Sequence, residues 1–410
     1  MKYVVIGSSA AGVNGVRTLR KYDPSAEIVL ISKDRDIYSR CILHAYLGGI
    51  RTKERLCFVE PDFETLYNVK WMKGREAVGL NREGKYVILE NGDLVSYDKL
   101  LIATGSHTFV PPIPGLKGAR NYIGFRNIDD IEELKEVAKT CHNIVVLGSG
   151  LVGIDCMCGF LDLGVRVTLV DFAGWPLNKQ LDPRAAQTYI DKFASEGIDQ
   201  HYGVGVDHLD QDEDGFITHV YLTDGTCLPC DFFVITAGVR SNVEFLKDSG
   251  LELSKFGLIY DPTGKTNDPD IYGAGDVSGT SPIWPVAVKE GMIAASNMAG
   301  VPAKMTDFFA SKSTMSFLGI HTMSLGFVNP PDDTYEVVTY EKGDVYKKIV
   351  HKDGVITGAL LQGDLAYGGV LQQLIARKID VRKVKKPLFE IDYSDFFHID
   401  SGTSQFFYEE

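Results

Sequence analysis

An α/β fold made of two doubly wound, three-layer units and a small α+β C-terminal domain is predicted by three observations. Glycine-rich loops occur twice, at Gly7-Ser8-Ser9-Ala10-Ala11-Gly12 and at Gly148-Ser149-Gly150-Leu151-Val152-Gly153, each between a short apolar run and a helix-like stretch. Each half then closes alike, on an apolar strand running into a small-residue turn: Leu100-Leu101-Ile102-Ala103-Thr104-Gly105, and Phe233-Val234-Ile235-Thr236-Ala237-Gly238. After residue 305 this pattern stops, and strand-like runs divided by Lys352-Asp353-Gly354 precede one helix candidate. In such a loop the first glycine makes the turn, the second admits a pyrophosphate, and the third lets helix and strand pack, leaving helix N-terminal amides for the anion. Two loops imply two dinucleotides, so each unit is read as Rossmann-like.

In chain order, residues 1–108 form the first unit, opening on Val4-Val5-Ile6 before Gly7. Pro111, Pro112 and Pro114 break regular structure and mark a crossover. Residues 109–234 form the second unit, with Val165–Val170 as its second strand and Asp224-Gly225 as a hairpin turn. Residues 235–305 return to the first unit through Gly273-Ala274-Gly275-Asp276 and a helix from about Pro285 to Met298. Residues 306–410 are the C-terminal α+β domain, with strands at 346–350 and 355–361 and a helix near 368–378.

The chain has 410 residues, long enough for two to three domains, with 44% hydrophobic and 24% charged residues. Its formal charge of −13 argues against nucleic acid or an anionic membrane as partner, since either needs a basic face. No apolar run reaches membrane-spanning length, a strand begins just after Met1, and a cytoplasmic protein is expected. The seven cysteines read as reduced thiols. Cys227 with Cys230, and Cys156 with Cys158, could be imagined as metal ligands, but 156 and 158 fall on different sides of a helix, and no metal is expected.

The motif order, loop, Ala-Thr-Gly, second loop, Ala-Gly, Gly-Ala-Gly-Asp, resembles the two-dinucleotide flavoprotein family that includes rubredoxin and ferredoxin reductases, the flavoprotein part of nitrite reductases, NADH oxidases and coenzyme A disulfide reductases. The resemblance covers about residues 1–305. It implies FAD on the first loop, Gly7 to Gly12, and along Ala103, Thr104 and Gly105, with Asp276 after Gly275 accepting a hydrogen bond from the ribitol; a plain capped turn is the alternative. It places Arg126 close to the flavin, where a surface salt bridge is the alternative, and Trp284 against the ring or at the acceptor surface, where core packing is the alternative. Ala77, Val78 and Ala287 join the implied FAD contacts, and Glu290-Gly291 lies in the flavin-contact region. Relatives carry a glutamate for the adenosine ribose where this chain has Ser32-Lys33-Asp34.

The resemblance puts a nicotinamide dinucleotide on Gly148–Gly153, with Ala237 and Gly238 nearby. Asp171 ends the second strand of that unit; a carboxylate there binds a ribose 2′-OH and repels a 2′-phosphate, so NADH is expected over NADPH.

The segment Tyr38-Ser39-Arg40-Cys41-Ile42-Leu43-His44 is open to two readings. Against disulfide reductases and NADH oxidases, Cys41 resembles a redox cysteine beside the flavin if one residue is deleted. Against rubredoxin, ferredoxin and nitrite reductases, Tyr38, Arg40 and Leu43 match without a gap, and Cys41 is a packed thiol. Asp155 aligns with a flavin-facing glutamate that ferredoxin reductases pair with a lysine. Here that lysine position is Ala45, so His44 is the candidate partner; a helix-surface aspartate is the alternative. Cys41, His44 and Asp155 are thus the candidate catalytic residues.

The C-terminal stretch Val345–Val350 with Gly354, Gly358 and Gly363-Asp364 resembles the small domain of rubredoxin and nitrite reductases. The expected enzyme is an FAD-dependent NADH oxidoreductase passing electrons to a rubredoxin- or ferredoxin-like protein or to a partner enzyme subunit. A Cys41-dependent NADH oxidase, peroxidase or disulfide reductase is the alternative, and a flavin-bearing interaction subunit a minor one. Phe389, Tyr393, Phe396, Phe397, Phe406, Phe407 and Tyr408 give the end of the chain an apolar character that suits a covered surface, the chain's own core or a second subunit.

Overall fold

Strands Lys2–Ile6, Glu27–Ser32, Val69–Lys73, Lys99–Ile102 and Ile271–Gly273 build a parallel sheet in the spatial order 271, 99, 2, 27, 69. The computed structural model describes residues 1–280, 282–306 and 312–408. Because the sheet is parallel and covered on both faces, its inner strands are near-continuous apolar runs, while the edge strand Val69–Lys73 carries lysines. Alternate residues then face opposite layers. Tyr3, Val5, Ile28 and Leu30 pack against helices Ala10–Tyr22 and Trp284–Met298. Val4, Ile6, Val29 and Ile31 pack against a small antiparallel sheet of Ala77–Asn81, Tyr86–Leu89 and Leu94–Ser96.

The second unit repeats this plan. Asp199–Tyr202, Val167–Asp171, Ile144–Leu147, Phe232–Ile235 and Tyr122–Gly124 form a parallel sheet in that spatial order. Helices Ile128–Thr140, Leu151–Asp162 and Pro183–Ser195 cover one face. An antiparallel sheet of Val206–Gln211, Ile217–Leu222 and Cys227–Pro229 covers the other. The chain passes out of the first unit and back along a two-stranded antiparallel ribbon, Ser106–Thr108 with Val239–Ser241.

The C-terminal sheet is antiparallel, in the order Ser313–Phe317, Ile320–Gly326, Val355–Gln362, Val345–Lys352, Glu336–Lys342. One face, with Met315, Phe317, Tyr346 and Leu360, joins the core of the second unit. Helix Gly368–Arg377 covers the other through Leu371 and Leu374. Among the described residues no helix is long and apolar enough to cross a membrane.

Candidate active site

Gly7 has φ +112°, and a Cβ there would lie 2.1 Å from the Ala103 carbonyl oxygen. Gly12 packs one turn on, where a Cβ would lie 1.8 Å from the Gly7 carbonyl oxygen. Only glycine allows that approach of helix to strand. Helix Ala10–Tyr22 begins behind Ser9 with no side-chain cap, and beside it the Ser8 hydroxyl is buried without a hydrogen-bond partner. Uncapped amides next to a vacant hydroxyl are what a phosphate needs.

These groups lie in the wall of a cavity of about 830 Å³. Gly7, Ser8, Ser9, Ala10 and Ala11 line it, as do Ser32, Lys33, Arg40, Ala77, Val78, Ala103, Thr104 and Gly105. Arg126, Gly275, Asp276, Trp284 and Ala287 complete the expected set on the wall. Gly12 stands behind it. Trp284 is half-buried, edge-on to Phe58 with ring centroids 4.8 Å apart. This volume suits a large ligand. With a phosphate-accepting helix end, a carboxylate and an aromatic ring in one wall, the residues fit FAD.

A polar frame stiffens the site. Arg126 reaches Asp276 Oδ2 at 2.6 Å and the Ser106 hydroxyl at 2.7 Å, and that hydroxyl lies 3.1 Å from the same carboxylate oxygen. Glu290 Oε2 accepts the Gly275 amide at 2.7 Å and the Tyr260 hydroxyl at 2.9 Å, fixing the turn before Asp276. Thr104 and Asn242 exchange bonds, each side chain donating to the other's carbonyl at 2.8 Å. Arg40 holds Asp34 at 2.6 Å and lies 4.7 Å above the Tyr38 ring. Sequence reasoning missed Ser106, Asn242 and Tyr260. Ser106 stands just after Ala-Thr-Gly, a usable signal, whereas nothing local marks Asn242 or Tyr260.

The second loop has the same backbone. Gly148 has φ +106°, and a Cβ on Gly153 would lie 1.9 Å from the Gly148 carbonyl oxygen. Gly150 and Gly238, the latter at φ +113°, face open space, Ala237 is exposed, and Leu151 and Val152 open the helix with Val152 exposed. None of the expected nicotinamide-side residues lines the cavity. Gly7 N donates to Ile31 O and Gly148 N to Val170 O, both at 2.8 Å, so Ser32 and Asp171 occupy equivalent positions. They behave differently. Asp171 Oδ2 accepts from the Ser149 amide and hydroxyl at 2.6 and 2.7 Å, and Oδ1 from the Ala173 amide at 2.8 Å. Ser32 instead donates to Asp34 O at 2.7 Å and accepts from Trp71 at 2.8 Å, leaving Ser8, the counterpart of Ser149, unpaired.

Cys41 lines the cavity and is exposed. Although open to the cavity, it is enclosed enough by protein that burial pushes the thiol up; Asp155 and Asp276 add to this, while Arg126 opposes. His44 and Asp155 stand off the wall. His44 Nδ1 and Asp155 Oδ1 are 3.1 Å apart, off the line of a hydrogen bond, and Nδ1 is buried without a hydrogen-bond partner. Burial drives both toward their neutral forms: Asp155 is pushed up to about 7, and His44 falls below its ordinary value. Cys156 is buried and Cys158 half-buried on helix Leu151–Asp162, both packed in the core of the second unit.

Residues 1–291 match the family model described as pyridine nucleotide-disulphide oxidoreductase, and residues 313–379 the one described as rubredoxin NAD+ reductase C-terminal domain. The chain is 26% identical over 404 residues to the assimilatory nitrate reductase electron transfer subunit of Bacillus subtilis, covering 96% of this chain but 51% of that one. It therefore spans about half the length of that relative. It is 28% identical over 407 residues to the NADH-dependent phenylglyoxylate dehydrogenase subunit epsilon of Aromatoleum evansii, covering 94% and 93% of the two chains. NADH:rubredoxin oxidoreductase from Clostridium acetobutylicum shares the fold, with TM-score 0.77 at 22% identity over 94% of this chain and 97% of that one. With two glycine-tight dinucleotide loops, a cavity fitted to FAD and a family model that spans both units, this chain belongs to the pyridine nucleotide-disulphide oxidoreductases, enzymes that use FAD and NAD(P)H.

Proposed function

We propose that this chain takes electrons from NADH through FAD and hands them to a separate redox protein or a partner subunit. The observation that carries the reading is the doubled loop with unlike ends: a phosphate-ready loop in the cavity wall, and a second loop closed on Asp171. Residues 1–108 and 235–305 would hold FAD, residues 109–234 NADH, and residues 306–410 the acceptor-side domain. Bound together, the two cofactors supply the redox chemistry, hydride passing from nicotinamide to flavin.

The chain supplies position. Asp171 offers carboxylate oxygen to a ribose 2′-OH while keeping the Ser149 amide in place, and its charge disfavours a 2′-phosphate. Asp276, steadied by Arg126 and Ser106, presents an acceptor at the FAD end of the cavity. Two relatives described as subunits of larger systems, and the match of residues 313–379, support a protein acceptor. Cys41 on the cavity wall favours the second reading, a cysteine-dependent reductase or oxidase of small molecules. Its raised thiol pKa weighs against it, because the thiolate is the reactive form.

The test is anaerobic stopped-flow reduction of the FAD-loaded protein by NADH and by NADPH, in wild type and Cys41→Ser, followed by mixing with oxidised rubredoxin or ferredoxin. The expected result is simple bleaching of the flavin band in both proteins, a preference for NADH, and rapid reoxidation by the redox protein. A long-wavelength band that vanishes in Cys41→Ser, with turnover, would replace this reading by the second.

A further inference from the structure

His44 and Asp155 belong to different units. His44 lies on the short helix Leu43–Leu47 of the first, and Asp155 lies about one turn into helix Leu151–Asp162, which starts at the second loop. The two helices pack together, with Gly159 so close that a Cβ there would lie 3.0 Å from the His44 carbonyl oxygen. We propose that the His44–Asp155 contact is a proton-holding bridge between the two dinucleotide units, so that NADH binding is coupled to uptake of a proton. This rests on the reading of the second loop as the NADH site.

Geometry and surroundings both support the bridge. The facing atoms are 3.1 Å apart, and Nδ1 has no hydrogen-bond partner, so a proton on Asp155 has an acceptor waiting once the rings and carboxyl align. Asp155 raises the thiol of Cys41, which lines the cavity, so its charge is felt at the cavity wall. Helix Leu151–Asp162 starts at the second loop, so NADH held there would sit within about one turn of Asp155, and any further loss of water at the junction favours the protonated carboxyl. Since Asp155 in the free protein titrates near pH 7, the proton must be drawn from solution above that pH.

Other charged groups around the pair are tied or distant in effect. Asp162, on the same helix, favours the charged histidine and Arg51 opposes it. Across the third packed helix, Glu132 holds the Tyr46 hydroxyl and Lys135 sits 3.4 Å over the Tyr46 ring. Cys41, Cys156 and Cys158 all have raised thiols and stay protonated through neutral pH. Of the described groups around the junction, Asp155 is the one that burial pushes up to about 7.

The experiment is calorimetric titration of NADH into the FAD-loaded protein, already reduced by dithionite so that no hydride moves, at pH 6 and pH 8 in buffers of different ionisation enthalpy. Expected is near-zero proton uptake at pH 6, uptake approaching one proton at pH 8, and a Kd that rises with pH by up to about tenfold per unit above 7. Asp155→Asn should abolish the uptake and flatten the profile, and His44→Gln should reduce it; the flavin spectrum reports that each variant is folded. Uptake unchanged in Asp155→Asn, or absent in wild type, overturns the proposal. Failure of wild type to bind NADH at either pH overturns instead the reading of the second loop.

Discussion

The sharpest residue-level contrast is Ser32 against Asp171, equivalent positions with opposite chemistry. Replacing Asp171 with Ser removes the carboxylate that steadies Ser149 and that, on the proposed reading, would take the NADH ribose. A hydrogen bond to a charged group contributes about 1.5–3 kcal/mol, so the KM for NADH should rise roughly tenfold or more and the preference over NADPH should collapse, as steady-state kinetics with both would show. The reciprocal change, Ser32→Glu, gives the first site a ribose acceptor and should tighten FAD several-fold by flavin fluorescence titration. Asp155 carries a stability signature. Its folded carboxyl keeps its proton to about pH 7, while the unfolded chain releases it near pH 4. Between those values the folded state binds more protons, so this residue lowers stability as pH rises. Asp155→Asn should therefore unfold later than wild type at pH 8, by up to about 4 kcal/mol, and match it at pH 4 in denaturant melts.

At the scale of elements, helices Ala10–Tyr22 and Trp284–Met298 cross at Gly291, where a Cβ would fall 2.2 Å from the Ala11 carbonyl oxygen. Gly291→Ala should push the helices apart and shift the turn at Gly275, which Glu290 holds by its amide. FAD retention on gel filtration, and cavity-lining geometry with it, should suffer more than total helix content by circular dichroism. This explains what could be read from sequence. The loops at Gly7 and Gly148, the strands beside them and the helix after Gly275 are local patterns, in which glycine spacing and apolar runs fix the backbone. The Ser106–Arg126–Asp276 frame, the Asn242 exchange with Thr104 and the Tyr260–Glu290 contact join residues separated in the chain, and their roles arise only when 235–305 folds back onto the first unit and, for Arg126, when the second unit packs against it. The register of Ser32 with Asp171 was likewise invisible until the strands were paired, because Lys33 and Asp34 competed for the same place in the linear pattern.

Across the whole molecule, the C-terminal sheet grips the second unit through a buried polar knot. Asp182 caps helix Pro183–Ser195 at the Ala185 amide, and its other oxygen accepts from the Tyr346 hydroxyl at 2.7 Å and from Lys348 at 3.0 Å. Both charged side chains are buried, and Gln362 and Tyr189 add further bonds across the same seam. Lys348→Met strands the aspartate in the interior and should cost about 3–5 kcal/mol, seen as an earlier chemical-denaturation transition and increased protease cutting after residue 312. Asp182→Asn with Lys348→Met should recover much of that loss.

The ribbon that joins the units has a practical meaning. Residues 109–234 enter and leave beside one another, since Thr108 and Val239 are paired across the ribbon. The second unit is in effect a cassette inserted into the first, with both splice points side by side. Such an arrangement lends itself to modular engineering: a cassette of different nucleotide preference could be exchanged at these two positions, provided it brings its own counterpart of the Asp182 helix for the C-terminal sheet to hold.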